Sequence, residues 1–284
     1  MTPFAIAGLQ LALPNADNRD RIEREVAAAM SRFPWIQMVL LPELASFGPA
    51  LAHAEELPGP TEQRYQALAQ RHGIWLVPGS MYERHDGRIY NTASVIDPQG
   101  SVVARYRKMF PFLPYEAGVA HGTEVTVFDV PDVGRFGVSI CYDQWFPEVA
   151  RCLAWSGAEV ILHPTMTGTT DRGQELVLAQ ANAITNQCYF IDINNAGVLG
   201  NGRSIVVGPE GEVLHLAGEQ TEVIPLAIDL ERVRRARTHG IKGLGQMLKS
   251  FRDTEIRWPC HDPARRESDA LRALGPLLLP GRRP

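Results

Sequence analysis

The chain has no apolar run approaching the roughly 20 residues that cross a bilayer. Its opening stretch, MTPFAIAGLQLALPNADNRD, lacks both a basic leading segment and a small-residue cleavage site, so a cytoplasmic protein is expected. Cysteine is scarce: Cys141, Cys152, Cys188 and Cys260 are the four present, and no two form a C-x-x-C pair. In a chain of 284 residues that pattern does not make a disulfide framework, and four free thiols are expected. A surplus of charge is missing too. A formal charge of -4 and a pI near 6.1 give no electrostatic reason to expect nucleic acid or a membrane as partner, which leaves a small molecule. The eight histidines are scattered with no H-E-x-x-H spacing, so no metal is expected.

What is present is ordinary globular material, 45% hydrophobic and 21% charged, with no linker dividing it. The runs FAIAGLQL, MVLL, IWLVPGSMY, IYNTASVID, SVVARY, EVTVFDV, EVILHP, CYFIDINN, RSIVVG, EVLHL and EVIPLAID read as strands. Helical periodicity falls near 18–33, 61–72, 147–156 and 173–187. The first helix is expected to be capped by Asp17 or Asn18, with Ile22, Val26 and Met30 on one stripe; the second is expected to start at Thr61 and to face Tyr65, Leu68 and Ala69 inward. Interleaved strands and helices imply a mixed α/β architecture. The halves also echo one another. NTASVIDPQGSVV and GRSIVVGPEGEVL share a strand, a Pro-x-Gly turn and a strand, while MVLLPE and EVILHPT each end an apolar strand with proline. A true duplication would stack two similar sheets with helices outside, and open the loops bearing Glu43 and Thr165 on one side, near Cys141. The tail from Glu231 changes character to basic clusters with scattered Trp and Leu; it reads as an extension, 231–284, on a 1–230 domain, with its last nine or so residues disordered.

Three strand ends could carry chemistry. In RFGVSICYDQWFPE, Cys141 stands where a strand gives way to a helix, and on such an elbow the next backbone N–H is free to meet an oxyanion. Ser139 in the same run reads as a small filler. A thiol is only a few per cent ionised at neutral pH, so a nucleophilic role needs a base or a cation nearby. Glu43 ends the apolar strand of VLLPELASFG, where partial desolvation raises a carboxyl pKa and makes it a usable base. VVARYRKMFPFLPYEAG supplies Arg105, Arg107 and Lys108, with alternation placing Tyr106 and Lys108 on one face and the arginines on the other.

Glu43, Lys108 and Cys141, in that order and each at a strand end, resemble the signature of the nitrilase, or carbon-nitrogen hydrolase, superfamily. The resemblance runs from about Phe4 to Asp229. It includes PYEAG, whose Glu116 matches a second glutamate of the amidase branches. It implies a four-layer αββα sandwich and catalysis through a cysteinyl thioester without a cofactor. It also implies subunit pairing into a homodimer or larger homo-oligomer. By that resemblance Glu43 is the base, Lys108 with the Tyr142 N–H stabilises the oxyanion, and Glu116 positions Lys108 or substrate. Tyr142, Trp145, Thr165 and Met166 are the expected substrate wall, with His163 nearby in a structural role.

Two departures from the family pattern stand at His121-Gly122 and at QANAITN, residues 180–186. CYD with PYEAG looks closer to amidases than to nitrilases, which usually read Cys-Trp-Glu, while DQWFPE also resembles N-carbamoyl amine amidases. Hydrolysis of a small amide is therefore expected, with N-carbamoyl hydrolysis second and a nitrilase third. Rivals of other kinds are a papain-like Cys/His hydrolase, whose C-G-x-C-W signature is absent, and a catalytically silent binding protein on the same fold, for which the loss of one triad member would be expected.

Overall fold

The computed structural model describes residues 3–256, 258–261 and 268–278. Period-two alternation assigns each strand of the first sheet its faces. In β1 (Pro3–Gln10), Phe4 and Ile6 enter a cluster shared with the second sheet, whereas Ala5, Ala7 and Leu9 face helix α1 (Arg19–Arg32). β2 (Met38–Leu40), α2 (Pro60–His72) and β3 (Trp75–Val77) continue a parallel run, which β4 (Met81–His85), β5 (Arg88–Ile96) and β6 (Val102–Arg107) complete in antiparallel fashion.

The second sheet repeats the scheme. β8 (Gly134–Val138), α3 (Pro147–Trp155), β9 (Val160–Thr165), α4 (Arg172–Asn186) and β10 (Tyr189–Asn194) form the parallel run, followed by antiparallel β11 (Ile205–Val207) and β12 (Val213–Leu216). The strand that closes each half crosses over. β7 (Thr126–Val130) pairs with β8, and β13 (Glu222–Asp229) returns to pair with β1 along its whole length. The duplication read from two hairpins is thus present as topology, and the exchanged strands lock the halves into one unit. Phe136, Val138, Leu162 and Ile191 meet the first sheet in the shared core, and Ile161 and Phe190 face Leu153 and Ala179 of the outer helices. The result is the four-layer αββα sandwich.

Several boundaries differ from the sequence reading for identifiable reasons. IWLVPGSMY is two strands, because at Gly79 the backbone takes φ +76° and a Cβ there would stand 1.8 Å from the Pro42 carbonyl oxygen. Asn18 occupies the cap position of α1, but its side chain donates to the Pro14 and Ala45 carbonyls instead. α2 begins at Pro60, whose missing N–H costs nothing in a first turn. The division expected at residue 230 falls at the start of α5 (Leu230–His239), whose Leu230 and Val233 enter the shared core. Beyond it, α6 (Met247–Arg252) sets Phe251 against Trp155. Of the terminal residues expected to be disordered, 279–284 lie outside the described residues. No helix among the described residues is long and apolar enough to cross a membrane.

Gly79 ties the fold to the loop that bears Glu43. Gly79→Ala is expected to destabilise the protein by about 3 kcal/mol, through left-handed strain and the clash with Pro42, and to lower activity with it. Urea unfolding followed by tryptophan fluorescence tests this; an unchanged midpoint would show that the loop yields freely.

Candidate active site

Glu43 follows β2 on a loop pinned from the second half of the chain. Its N–H donates to the Thr165 carbonyl at 3.2 Å, and its own carbonyl accepts from the Asn195 amide at 2.7 Å. The next residue, Leu44, takes a left-handed φ of 51°, with its N–H bound by the Ser80 hydroxyl. The Glu43 carboxyl is thereby held in the interior, 2% exposed.

Lys108 lies one residue past β6, on the buried face with Tyr106, while Arg105 and Arg107 on the other face pair with Glu62 and Glu83. Its backbone is gripped on both sides: its N–H donates to the Asn91 carbonyl and its carbonyl accepts from Gly122 N–H, each at 2.8 Å. Gly122 has to be glycine, since a Cβ there would lie 2.0 Å from the Arg107 carbonyl oxygen. His121 beside it places Nδ1 2.8 Å from the Met109 carbonyl oxygen, at the surface.

The Lys108 ammonium, 1% exposed, donates to Glu43 at 2.8 Å and to Glu116 at 2.7 Å. Asn91 bridges the same two carboxylates from its side-chain amide, at 2.8 and 3.2 Å, and Phe112 N–H adds a bond to Glu116. Burial opposes the lysine's charge, but Glu43, Cys141 and Glu116 outweigh it and hold the ammonium well above its ordinary value. Burial pushes the Glu43 carboxyl up in spite of Lys108, whereas for Glu116 the bonds to Lys108 and Phe112 prevail over burial and hold it down.

Cys141 opens a 3-10 turn, Cys141–Trp145, with φ 46°. That left-handed backbone departs from strand alternation, which would have grouped Cys141 with Gly137 and Ser139, and sets the residue in the inter-sheet cluster instead. Asp143 holds the turn. Its buried carboxyl accepts from Ile140 N–H at 2.8 Å, from the Tyr106 hydroxyl at 2.7 Å and from Phe110 N–H at 2.9 Å. One side chain therefore fixes the cysteine turn relative to the strand that delivers Lys108. Burial pushes the Asp143 carboxyl up to about 6. Burial and the Glu43 charge likewise push the Cys141 thiol well up, so at rest it is a neutral thiol facing the Glu43 carboxyl.

Behind the thiol, the Thr167 hydroxyl stands 3.8 Å from Sγ and donates to Glu175 at 3.0 Å. Glu175 and Asp192 both accept from the buried Arg172 guanidinium. His163 is buried against Phe190 and bonded through Nδ1 to Ser139 at 2.7 Å, and burial pushes it down to about 4. It is a neutral structural residue, and Ser139 is its partner rather than mere filler.

Glu43, Lys108, Glu116 and Cys141 share the walls of one cavity of about 380 Å³, completed by Pro49, Leu51, Tyr82, Phe112, Tyr115, Ala117 and Met166. Of the four residues expected to form the substrate wall, Met166 stands here. Tyr142 sits behind Phe112, ring centroids 4.8 Å apart, and Trp145 lies beyond Tyr142. Thr165 is fully buried and contributes its carbonyl to the Glu43 loop. These three are corrected to supporting positions. No group of three or more His, Cys, Asp and Glu side chains among the described residues could hold a metal ion.

The sequence pattern of the carbon-nitrogen hydrolase family matches residues 5–238. The chain belongs to this family. It is 30% identical to the omega-amidase NIT2 of Homo sapiens over 260 residues, covering 84% of this chain and 92% of that protein. Nit3 of Saccharomyces cerevisiae, a member of branch 10 of the nitrilase superfamily, superposes with a TM-score of 0.77 at 29% identity, over 84% of this chain and 94% of that one. A Glu-to-Gln mutant of the amidase of Nesterenkonia sp. AN1 gives a TM-score of 0.72 at 26% identity, over 83% and 95% of the two chains; it was solved with the acetamide moiety of fluoroacetamide added covalently at the active-site cysteine. A variant of the same amidase was solved in complex with butyramide.

In this carbon-nitrogen hydrolase, sequence reasoning missed Asn91, Tyr82, Phe112 and Tyr115 as site residues, and took Asp143 only as part of the branch-marking runs CYD and DQWFPE rather than as an anchor. Asn91 lies inside a strand expected only to fill the sheet; its signal was a polar residue at a fully buried position, visible once the sheet is formed. At the family departure in residues 180–186, Asn182 donates to the Gln144 carbonyl at 3.1 Å and so supports the cysteine turn from α4.

Asp143→Ala strands three buried donors and is expected to cost about 3 kcal/mol of stability while lowering kcat; a wild-type unfolding midpoint would remove Asp143 as the anchor. A second expectation concerns pH. Burial pushes Glu175 up to about 7, so its contribution to stability is present at low pH and is lost as pH rises through about 7. Relative to Glu175→Gln, which does not titrate, the wild type should lose stability between about pH 5 and pH 8. Parallel unfolding titrations of the two proteins measure the difference, and a difference independent of pH counts against a titrating Glu175.

Proposed function

We propose that this carbon-nitrogen hydrolase cleaves small amides to ammonia and a carboxylate through a thioester on Cys141. The observation that carries this reading is the buried ammonium of Lys108, held between Glu43 and Glu116 on the cavity that also receives the Cys141 thiol.

A neutral thiol needs its proton removed in the attacking step, and the raised Glu43 carboxyl suits a base that must also return that proton. Glu43 takes the thiol proton as Sγ attacks the amide carbon. The resulting oxyanion is met by Lys108 and by the Tyr142 N–H; the first N–H groups of a helical turn have no acceptor within it, and along this turn Asp143 N–H bonds back to Ile140. Glu43 then gives its proton to the amide nitrogen, the C–N bond breaks and ammonia departs, leaving the thioester. Water enters, loses a proton to Glu43 and attacks the same carbon. Collapse breaks the C–S bond, and the proton on Glu43 returns to the thiol. Glu116 keeps Lys108 charged and aimed. The covalent adduct at the cysteine of the Nesterenkonia amidase supports the assignment of the nucleophile. A histidine-assisted thiol finds no support, since His163 is neutral and engaged with Ser139.

Cys141→Ala is expected to abolish ammonia release without moving the unfolding midpoint, and Lys108→Met to lower kcat by roughly 10²–10³-fold. The assay is ammonia release across short amides, ω-amides of dicarboxylic acids, N-carbamoyl amines and nitriles. Full activity in Cys141→Ala would sink the proposal, and turnover of nitriles alone would replace the amide with a nitrile.

A further inference from the structure

The walls of the catalytic cavity restrict what an amide's acyl chain can carry. On one side stand two carboxyls and a single cation. That cation, Lys108, already donates to Glu43 at 2.8 Å and to Glu116 at 2.7 Å. The other lining side chains are apolar or aromatic, Leu51, Phe112 and Met166 among them, and Tyr82 contributes a phenol kept neutral by burial and by the neighbouring Glu116 and Glu43. The two arginines just before Lys108 in sequence, at positions 105 and 107, give no help. Arg105 and Arg107 point to the opposite face of β6, where Glu62 and Glu83 pair with them and they line a separate surface groove. No unpaired cation lines the cavity among the described residues.

With both acids ionised, the cluster of Glu43, Lys108 and Glu116 carries a net negative charge. A second anion brought into this apolar space would lose its hydration, gain no ion pair and face repulsion from Glu43, the group that must act as base. An uncharged chain of a few carbons meets none of these costs, and about 380 Å³ is room enough for it.

We infer that the hydrolase takes neutral amides with a short apolar acyl chain, and discriminates against amides whose acyl chain ends in a carboxylate. The inference rests on the amide-hydrolysis reading above and adds the substrate class. The test compares kcat/KM for ammonia release from 4-methylpentanamide and from succinamate, which place an isopropyl group and a carboxylate at the same position, with butyramide as the reference amide. The neutral amide should be preferred by roughly 100-fold or more.

Ala117 is an exposed rim residue of the same cavity. Ala117→Arg supplies the missing cation and should raise the ratio of kcat/KM for succinamate to that for 4-methylpentanamide at least ~10-fold, whatever it does to either value alone. Turnover of succinamate equal to or faster than 4-methylpentanamide in the wild type, with butyramide also hydrolysed, overturns the inference and leaves the amidase reading intact. An Ala117→Arg enzyme in which this ratio does not rise shows that charge is not what excludes succinamate, and also overturns the inference. Absence of ammonia from all three amides removes the amidase reading and this inference together.

Discussion

The ammonium of Lys108 is a fully buried charge, and most of the local structure follows from the need to keep it there. An isolated ammonium in such surroundings would shed its proton. Two carboxylates prevent this, but two buried carboxylates need further donors of their own. Asn91 divides its amide between them and Phe112 N–H takes a remaining lone pair of Glu116. The cluster is worth little as a source of stability, since burying charge costs about what the pairing returns. Its value lies in a cation that cannot leave and cannot deprotonate, set on the wall of the cavity that also receives the Cys141 thiol.

Topology makes the cluster possible. Each half of the chain runs through a parallel triplet and then antiparallel strands, and each gives its last strand to the other half's sheet. The strand ends that bear Glu43, Lys108 and Cys141 are thereby turned to one end of the sandwich. Cross-bonds then fix the register between halves. Asn195, just past β10, holds the Glu43 carbonyl, and Asp143, just past β8, holds Tyr106 and Phe110 beside Lys108. Each catalytic loop of the first half is secured by a residue of the second, so the site exists only when both sheets are stacked.

This arrangement explains which parts were legible in the sequence. Glu43, Lys108 and Cys141 were readable because each is a polar residue ending an apolar run, a break in a pattern with period two. The sandwich was readable for the same reason, as alternation along β1 shows, where Phe4 and Ile6 part from Ala5, Ala7 and Leu9. Asn91 was hidden because a polar residue inside a strand looks like a solvent-facing position until the other sheet covers it. Thr165 was misread because it acts through its carbonyl, a group that every residue has. Tyr142 was assigned to the wall for its aromatic ring, but the left-handed turn at Cys141 sends that ring behind Phe112. Pattern along the chain reports burial; it does not report the direction of a loop with positive φ.

The thiol lies between two acids, and this orders the chemistry. Glu43 faces it across the cavity, Glu175 lies behind it through Thr167, and both raise its pKa on top of burial. Lys108 pulls the other way, but its charge is already engaged by Glu43 and Glu116. A cysteine paired with an imidazolium can rest as a thiolate; in the mechanism we propose, this one stays protonated until a substrate carbonyl is in place to accept the electrons. Under that proposal proton loss, attack and oxyanion formation are coupled. In the proposed step, negative charge moving from sulfur to the carbonyl oxygen moves away from both acids and toward Lys108, so the arrangement that disfavours the resting thiolate would favour the tetrahedral state.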